Sequence, residues 1–185
     1  MTRPRLVLLD RDGVLNEDRA DYVKSPAELE MIPGAAAAVA RLNAAGIMVA
    51  LCTNQSAVGR GIIGAGMLDR IHDRLRDELA RAGARLDDLH ACTDAPGPRS
   101  THRKPAPGML LDAMRRFRVA GHEATMVGDS LRDLEAAHAA GAARVLVRTG
   151  HGAATQAAGL PPALLPVAVH DDLAAAVDAI LGAGG

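Results

Sequence analysis

The sequence predicts an α/β fold of three layers, with helices on both faces of a mainly parallel central sheet. Short apolar runs alternate along the chain with stretches of helical periodicity. The runs carry few polar residues, which indicates strands that are covered on both faces. Right-handed crossovers join parallel strands in such folds. We therefore expect a Rossmann-like arrangement, in which ligands bind beyond the carboxyl ends of the strands.

Six strands and five helices are predicted. The strands are expected at residues 6–9, 47–52, 89–92, 125–128, 144–147 and 167–170, because each is an apolar run of four to six residues between helical stretches. The helices are expected at residues 34–45, 67–82, 108–119, 131–140 and 172–181, with proline or glycine near several starts. A glycine is placed to end each helix, namely Gly46, Gly83, Gly121, Gly141 and Gly182.

The composition indicates one compact soluble domain over residues 1–185. Hydrophobic residues make up 49% and charged residues 23%, and a net charge of -1 offers no basic surface for nucleic acid. Tyr22 and Phe117 are the only aromatic residues, which excludes a platform for stacked bases. Cys52 and Cys92 are too few for a disulfide scaffold, and no apolar run has the length of a membrane span. We expect a cytoplasmic monomer that binds a small molecule.

Two carboxylates follow the first predicted strand. Asp10 and Asp12 are two residues apart, so an extended chain would point both to one side, and Gly13 allows a sharp turn after them. Two close carboxylates repel each other, and a divalent cation would relieve that repulsion while one of them stays free to carry a proton. A polar turn with Asp-Gly at its bend is the alternative interpretation.

Polar or charged groups also follow the second, third and fourth predicted strands. Residues 53–56 (TNQS) could bind phosphate oxygens or cap a helix. Lys104 stands before a helix start, where a cation gains nothing from the helix dipole, although a solvated surface lysine is the ordinary alternative. Asp129 or Ser130 could cap a helix, with Asp133 at the capping-box distance. Because all these groups follow successive strands, we expect them to share one site.

The order and spacing of these groups resemble the haloacid dehalogenase superfamily of phosphotransferases over nearly the whole chain. Within it, the strings DRDGVLN, TNQS, RKPAPGMLL and VGDSLRDLEAA, with a later VLVRTGHG, are similar to the branch of heptose bisphosphate and histidinol-phosphate phosphatases. The intervals of 43 residues from Asp10 to Thr53 and of 51 residues from Thr53 to Lys104 leave too little room for a large cap domain.

The resemblance implies a Mg²⁺-dependent phosphatase that works through an aspartyl phosphate. Asp10 would be the nucleophile and Asp12 the general acid and base, which requires the pKa of Asp12 to lie above that of its metal-bound neighbour. Thr53 and Lys104 would hold the transferring phosphoryl group. The residues implied for Mg²⁺ are Asp10, Asp12 through its backbone carbonyl, and Asp129, with Asp133 orienting these groups or Lys104. The residues implied for the substrate are Asp18, Asp21 and Tyr22 in a short flap at residues 16–24, together with Asn54, Gln55, Ser56, Arg103 and Ser130.

The loop before RKP departs from the pattern of that branch. Relatives commonly carry a zinc site there, built as Cys-x-His, a spacer and Cys-x-Cys. Structural zinc needs four good ligands in a tetrahedron, so we expect zinc to be absent here, with Pro96 and Pro98 stiffening the loop instead. The residues that stand at the four ligand positions are Cys92, Asp94, Ser100 and His102. The alternative is an irregular zinc site that uses Cys92, Asp94 and His102 with His90.

The leading interpretation is hydrolysis of the 7-phosphate of D-glycero-D-manno-heptose 1,7-bisphosphate, a step toward a lipopolysaccharide precursor. A histidinol-phosphate phosphatase or another small phosphosugar phosphatase is the alternative enzyme. A phosphosugar-binding protein without activity is the alternative from another class, but a binder needs neither a nucleophile nor an acid. The remaining histidines are expected to be surface or capping groups: His72, His122, His138, His151 and His170.

Overall fold

A computed structural model describes residues 3–97 and 100–182, and six β-strands in this part of the chain form one sheet. The strands are β1 (Leu6–Leu9), β2 (Met48–Asn54), β3 (Asp88–Cys92), β4 (Ala124–Gly128), β5 (Ala143–Val147) and β6 (Ala168–His170). Their order across the sheet is β3-β2-β1-β4-β5-β6, and every neighbouring pair is parallel. The predicted fold class is confirmed.

Seven α-helices lie within the described residues. They are α1 (Ala35–Ala44), α2 (Ser56–Gly59), α3 (Ala65–Arg81), α4 (Gly108–Phe117), α5 (Leu131–Ala139), α6 (Gly152–Ala157) and α7 (Leu173–Gly182). Three short 3₁₀ helices occupy Pro26–Glu28, Gly121–Glu123 and Pro162–Leu164. None of the helices in residues 3–97 and 100–182 combines the length and the apolar character that a membrane crossing requires.

Two apolar layers enclose the sheet, because alternate residues of a strand point to opposite faces. On one face, Val7 and Leu9 of β1 pack with apolar residues of α1, α3 and α7. On the other face, Leu6 and Leu8 pack with residues of α4 and α5. All four side chains are fully buried, and each such burial contributes roughly 1.5–3 kcal/mol. The central strands are therefore covered on both faces, as their composition predicted.

The two edge strands differ from this expectation. Most residues of β3 and all residues of β6 are only half-buried, because each strand has a neighbour on one side alone. Helix α4 also ends earlier than predicted. Arg118 adopts the left-handed conformation, with φ of 53°, directly after Phe117, and Gly121 instead begins a 3₁₀ turn. Gly46, Gly83 and Gly141 follow their helices with positive φ, as expected of C-terminal caps.

The topology places one edge of the sheet for ligand binding. The strand order reverses between β1 and β4, and in open parallel sheets the crevice at such a point receives the ligand. The chain leaves β1 after Leu9 and β4 after Gly128, so the two aspartate-bearing loops begin side by side. No domain-sized insertion interrupts the described residues between these elements, in accord with the absence of a large cap.

Candidate active site

A cavity of about 610 Å³ opens at the carboxyl ends of the strands, beside the reversal of strand order. Its wall contains residues from the loops after β1, β2, β3, β4 and β5. Asp10, Asp12, Lys104, Asp129 and Asp133 all belong to it. Residues that are far apart in the sequence therefore meet in one place, as their positions after successive strands predicted.

Lys104 lies at the base of this cavity and joins two carboxylates. Its Nζ atom is 3.0 Å from Oδ1 of Asp10 and 2.7 Å from Oδ1 of Asp133, and it donates a 2.7 Å hydrogen bond to the carbonyl of Cys52. The side chain is 1% exposed. Burial lowers the pKa of the ammonium, but Asp10 and Asp133 outweigh burial and hold the pKa above its usual value. Lys104 is therefore a fixed positive charge.

Asn54, the last residue of β2, fixes the chain at Lys104. Its Nδ2 atom donates to the Lys104 carbonyl at 2.9 Å, and its Oδ1 atom accepts from the Lys104 amide at 3.0 Å. This reciprocal pair ties the loop after β3 to the end of β2. Asn54 also lines the cavity, together with Gln55 and Ser56.

Asp133 is held inside the first turn of α5. Its Oδ2 atom accepts hydrogen bonds from the amide of Ser130 at 3.0 Å and from the hydroxyl of Ser130 at 2.7 Å. The predicted capping-box spacing is thus used, with the carboxylate reaching back to the N-cap residue. Burial raises the pKa of Asp133, but Lys104 and Ser130 outweigh it and keep the pKa below its usual value. Both carboxylate oxygens are occupied by groups of the protein.

Asp129 is packed between two glycines. Its Oδ2 atom accepts a 2.8 Å hydrogen bond from the amide of His151. A Cβ atom added at Gly13 or Gly150 would lie 2.1 Å or 2.2 Å from that same oxygen, and both glycines have positive φ. The hydroxyl of Thr149 donates to the Gly13 carbonyl at 2.6 Å, which holds the two loops together. Glycine is therefore required on both sides of this carboxylate.

Asp10 and Asp129 carry negative charge that the protein only partly compensates. Burial, opposed by Lys104 and reinforced by Asp133 and Asp129, raises the pKa of Asp10 to about 7. Burial and the Asp133 carboxylate raise the pKa of Asp129 to about 7 as well. Oxygens of Asp10, Asp129 and Asp133 lie within 4.8 Å of one another. Such a cluster of oxygen ligands fits a hard divalent cation, whose charge would keep the carboxylates ionised.

Asp12 is surrounded by hydrogen-bond donors. Arg11, Asn16 and Gln55 donate to its two oxygens at distances from 2.7 to 3.2 Å. Burial raises the pKa of Asp12, but Arg11 and these hydrogen bonds outweigh burial and hold the pKa below its usual value. The general-acid role expected from the sequence requires the pKa of Asp12 to lie above that of Asp10. The protein groups alone give the opposite order, because Arg11 faces Asp12 whereas other acids face Asp10.

Thr53 is fully buried and is not part of the cavity wall. Its Oγ1 atom accepts a 2.9 Å hydrogen bond from Nε2 of Gln55, and the same Nε2 atom donates to Asp12. The residue also lies inside β2, one position beyond the strand end that the sequence predicted. Because the hydroxyl acts as an acceptor toward Gln55, its own proton is free for another partner.

The predicted flap residues separate into two groups. Asp18 and Tyr22 line the cavity, and Oδ2 of Asp18 is 2.9 Å from Nε2 of His151. Tyr22 has a φ of 66°, in the left-handed region. Asp21 points elsewhere: it is exposed, pairs with Lys24 and Arg19, and is not part of the cavity wall. The structure therefore does not bring Asp21 into the site.

Three arginines gather on another part of the wall. Burial lowers the pKa of Arg103, and the charges of Arg132 and Arg60 lower it further, so both of these guanidinium groups lie near Arg103. All three line the cavity, and no carboxylate pairs with any of them among residues 3–97 and 100–182. Arg103 also donates to the Asp94 carbonyl at 3.1 Å. Uncompensated guanidinium groups form a site for an anion.

Of these three arginines, sequence reasoning named Arg103 and missed Arg60 and Arg132. Arg60 follows the short helix α2, which the sequence did not predict, and Arg132 lies in the predicted helix at residues 131–140, where no role was assigned to it. His151 is exposed and is the N-cap residue of α6, as expected of a surface or capping group, but it also lines the cavity, where its Nε2 atom lies near Asp18 and its amide donates to Asp129. Its position in the loop after β5 was the available signal, because the other site loops also follow strands.

The remaining histidines mostly match their expected exposure. His122 and His138 are exposed, and His170 is half-buried in the edge strand β6. His72 differs, since it is 4% exposed on α3 and its Nε2 atom lies 3.4 Å from Nη1 of Arg11. The interpretation of His72 as a surface or capping group is therefore wrong. Its helix packs this face against the sheet rather than toward solvent.

The side chains considered for an irregular zinc site do not converge. Asp94 is exposed, and the only mutually close group of three metal-ligating side chains in the described part of the chain is Asp10, Asp129 and Asp133. Absence of zinc stays a prediction. Pro96 lines the cavity, whereas Pro98 lies outside the described residues. The other side chains each contact a different neighbour: Cys92 contacts Ser100, His102 contacts Asp112, and His90 contacts Asp88.

Comparison with known proteins places this geometry in a family. Residues 101–176 match the HAD-hydrolase-like family model. The D-glycero-beta-D-manno-heptose-1,7-bisphosphate 7-phosphatase of Bordetella bronchiseptica is 44% identical over 178 residues, which cover 96% of this chain and 98% of that protein. The enzyme of the same name from Pseudomonas putida is 42% identical over 92% of this chain and 96% of its own length.

Solved structures agree with these relatives. The D,D-heptose 1,7-bisphosphate phosphatase of B. bronchiseptica, complexed with magnesium and phosphate, superimposes with a TM-score of 0.91 at 44% identity, over 96% of this chain and 98% of that one. The phosphatase of the same name from Burkholderia thailandensis gives a TM-score of 0.74 at 38% identity, with the same coverage of both chains. With its strand-end acids and lysine in the predicted places, the chain belongs to the heptose-1,7-bisphosphate 7-phosphatase family of HAD-like hydrolases.

Proposed function

We propose that this protein is a Mg²⁺-dependent phosphatase that removes the 7-phosphate of D-glycero-D-manno-heptose 1,7-bisphosphate. The observation that carries the proposal is the convergence of Asp10, Asp12, Lys104 and Asp129 in one cavity at the reversal of strand order. The names of relatives at 42–44% identity support the substrate. Those names specify the beta anomer, so we expect the β-heptose bisphosphate to be preferred.

Asp10 and Asp129 are the residues that would hold Mg²⁺. Among the described residues, Oδ2 of Asp10 and Oδ1 of Asp129 accept no hydrogen bond from the protein, whereas both oxygens of Asp133 are engaged by Lys104 and Ser130. Asp133 therefore positions Lys104, and the carbonyl of Asp12 would complete the protein ligands. When bound, Mg²⁺ would neutralise charge on the phosphoryl oxygens and orient them for attack.

The chain's own residues supply the chemistry. Asp10 would attack phosphorus through a carboxylate oxygen, while Asp12 transfers a proton to the departing sugar oxygen. Asp12 would then remove a proton from the water that hydrolyses the aspartyl phosphate. Lys104 would donate to an equatorial phosphoryl oxygen, and Thr53, whose hydroxyl proton is not used by Gln55, would donate to another.

The arginine group supports a substrate with a second phosphate. Arg60, Arg103 and Arg132 have no carboxylate partner within residues 3–97 and 100–182, and they share the cavity with the Asp10 loop. Guanidinium groups bind phosphate by paired hydrogen bonds, and a phosphate would relieve their mutual repulsion. A monophosphate with a positively charged end, such as histidinol phosphate, would instead meet repulsion there. We therefore favour the bisphosphate over histidinol phosphate.

The assembly and location of the enzyme are part of this proposal. We propose that it is a single-domain, cytoplasmic monomer that binds no nucleic acid or membrane. In the described part of the chain, the exposed large apolar side chains are Leu111 on α4 and two residues of separate connecting segments, Ile62 and Leu165. Both cysteines are free and buried, as is usual in a reducing compartment.

Steady-state kinetics on a panel of substrates tests the function. We expect the highest kcat/KM for β-heptose 1,7-bisphosphate, followed by the α anomer, with fructose bisphosphate and histidinol phosphate well below both. Chelation of Mg²⁺ should abolish turnover of all four. Faster turnover of histidinol phosphate than of either heptose bisphosphate would reject the proposed substrate.

The variant Arg132→Gln tests recognition of the second phosphate. Arg132 is exposed, so its replacement should leave the fold intact. Loss of one charged hydrogen-bond donor costs about 1.5–3 kcal/mol, so we expect KM for the bisphosphate to rise by about tenfold or more. Hydrolysis of p-nitrophenyl phosphate, which has no second phosphate, should change little. Arg76→Gln on α3 is the control, since Arg76 is not part of the cavity wall and pairs with Asp73. An equal effect on both substrates would contradict the assignment.

A further inference from the structure

Arg11 lies between the two carboxylates of the first loop, yet the chemistry proposed above gives it no role. Its side chain is 1% exposed, which makes it one of the largest fully buried side chains among the described residues. A guanidinium stays charged at physiological pH, so its burial requires an anionic partner and acceptors for its hydrogen atoms. Its partners therefore indicate its role.

Asp12 is the partner on one side. The Nη2 atom of Arg11 lies 2.9 Å and 3.0 Å from the two oxygens of Asp12, and its Nε atom lies 3.2 Å from Oδ1. Neighbouring side chains on an extended strand point to opposite faces. The chain turns here instead, because the amides of Val14, Leu15 and Asn16 all donate to the carbonyl of Arg11. The turn brings the guanidinium alongside the next residue's carboxylate.

His72 is the partner on the other side. Its Nε2 atom lies 3.4 Å from Nη1 of Arg11, on the buried face of α3. Because a guanidinium can only donate, Nε2 must be the nitrogen that carries the lone pair. Burial and the charge of Arg11 lower the pKa of His72 to about 4, which leaves the imidazole neutral. His72 therefore holds the guanidinium from behind without adding a second positive charge.

We propose that Arg11 and His72 are positioning residues that fix the Asp12 carboxylate in the orientation from which it exchanges protons. The proposal rests on the proposed function, in which Asp12 is the general acid and base. Asn16 and Gln55 donate to the same carboxylate at 2.8 Å and 2.7 Å, so both of its oxygens are held. Displacement of a reacting group by about 1 Å costs on the order of 10²-fold in rate. A carboxylate that must meet the leaving oxygen and then a water benefits from such restraint.

Variants of His72 test this proposal, because His72 is separated from the substrate by Arg11. His72→Leu removes the acceptor behind Arg11 while it keeps an apolar side chain of similar bulk. We expect kcat on the heptose bisphosphate to fall by about tenfold or more and KM to stay within about twofold, because no substrate contact is changed. His72→Gln supplies an amide oxygen as acceptor and should recover most of the lost kcat. His122→Leu, at an exposed histidine, is the matched control and should behave as the wild type.

Three outcomes would overturn the proposal. One is a folded His72→Leu protein with wild-type kcat, and another is an equal loss of kcat in His72→Leu and His72→Gln. If His72→Leu does not fold, Arg11→Lys is measured instead, since it keeps the charge but cannot form the forked contact. Wild-type kcat in Arg11→Lys is then the third outcome that would overturn the proposal. A wild-type protein that is inactive on the heptose bisphosphate rejects the proposed function instead, and the same comparison is then made with p-nitrophenyl phosphate.

Discussion

Lys104 shows how a single buried cation supports two acids in the site. It reaches Asp133 at 2.7 Å and Asp10 at 3.0 Å, and water has almost no access to it. Removal of one partner from such a buried group costs on the order of 3–5 kcal/mol, because the remaining charges lose their compensation. The second oxygen of Asp133 accepts hydrogen bonds from Ser130, whereas the second oxygen of Asp10 accepts none from the described residues. The carboxylate that we propose as the nucleophile is therefore anchored to the protein through only one of its oxygens.

Asp10→Asn should abolish turnover without unfolding the protein. The amide is nearly the same size as the carboxylate but is not a nucleophile toward phosphorus, so we expect kcat to fall by about 10³-fold or more. The measurement is phosphate release, with circular dichroism as the check on folding. Asp21→Asn is the control, because Asp21 lies in the flap segment but outside the cavity wall, and it should keep wild-type kcat. Substantial activity in Asp10→Asn would mean that another group attacks phosphorus.

At the scale of single residues, sequence reasoning located the acids and the lysine because each follows a strand. It could not find the contact between Arg11 and His72. These residues are 61 positions apart, and a histidine among the apolar positions of α3 gives no sign of its partner. It also could not order the pKa values of Asp10 and Asp12, since these depend on which charges face each carboxylate in three dimensions.

Loops rather than helices and strands determine the shape of the site. The loop after β5 approaches the loop after β1 so closely that Gly150 and Gly13 both flank Asp129. Thr149 and His151 each donate a hydrogen bond into this junction, to the Gly13 carbonyl and to Asp129 respectively. The position of Asp129 therefore depends on two loops besides its own.

Gly150→Ala should disturb this junction. A Cβ atom there would lie 2.2 Å from Oδ2 of Asp129, and the residue has a φ of 55°. We expect a loss of about 1–2 kcal/mol in stability from the left-handed backbone and a fall in kcat of about 10²-fold from the displaced carboxylate. Gly83→Ala is the matched control, because Gly83 also has positive φ but nothing within 4 Å. It should lose less stability, because it has the left-handed backbone without the clash, and it should keep its kcat, whereas parallel losses of kcat in both variants would show a general backbone effect.

Boundaries of elements were predicted best where the apolar pattern is strong. Strand β1 has the predicted bounds, whereas β2 continues to Asn54 because Thr53 and Asn54 pair with Ala91 and Cys92 of β3. A polar residue that pairs within the sheet looks like the start of a loop in the sequence. Helices α2 and α6, with four and six residues, were missed because so few residues show no helical period.

The whole molecule places opposite charges on one cavity. Carboxylates gather where β1 and β4 end, and arginines gather on another part of the wall. Like charges repel one another within each group. In a magnesium–bisphosphate complex, the cation would relieve the repulsion among the carboxylates and a phosphate would relieve that among the arginines. The fold class and the identity of the acidic group were predictable from the sequence. The arginine group was not, because its members lie on segments that are close only after folding.

Mg²⁺ should stabilise the protein more at alkaline pH than at acidic pH. The pKa values of Asp10 and Asp129 are raised to about 7 from 3.8, so the stability linked to these groups is full below about pH 4 and is lost as pH rises through 7. Bound Mg²⁺ offsets that loss of stability. Below pH 7, Mg²⁺ must displace protons from these carboxylates, which lowers its affinity by up to about tenfold per proton for each unit of pH. Thermal unfolding with Mg²⁺ and with chelator should therefore differ more at pH 8 than at pH 5.5. An equal difference at both values would mean that neither carboxylate binds the cation.

Tyr22 gives the unlabelled protein its own optical probe. It is the only tyrosine in a chain without tryptophan, and it lies on the wall of the cavity in the flap segment at residues 16–24. Near-ultraviolet emission from the intact molecule thus arises almost entirely from this one position. Filling of the cavity can be followed in real time by intrinsic fluorescence, with no dye, tag or engineered side chain.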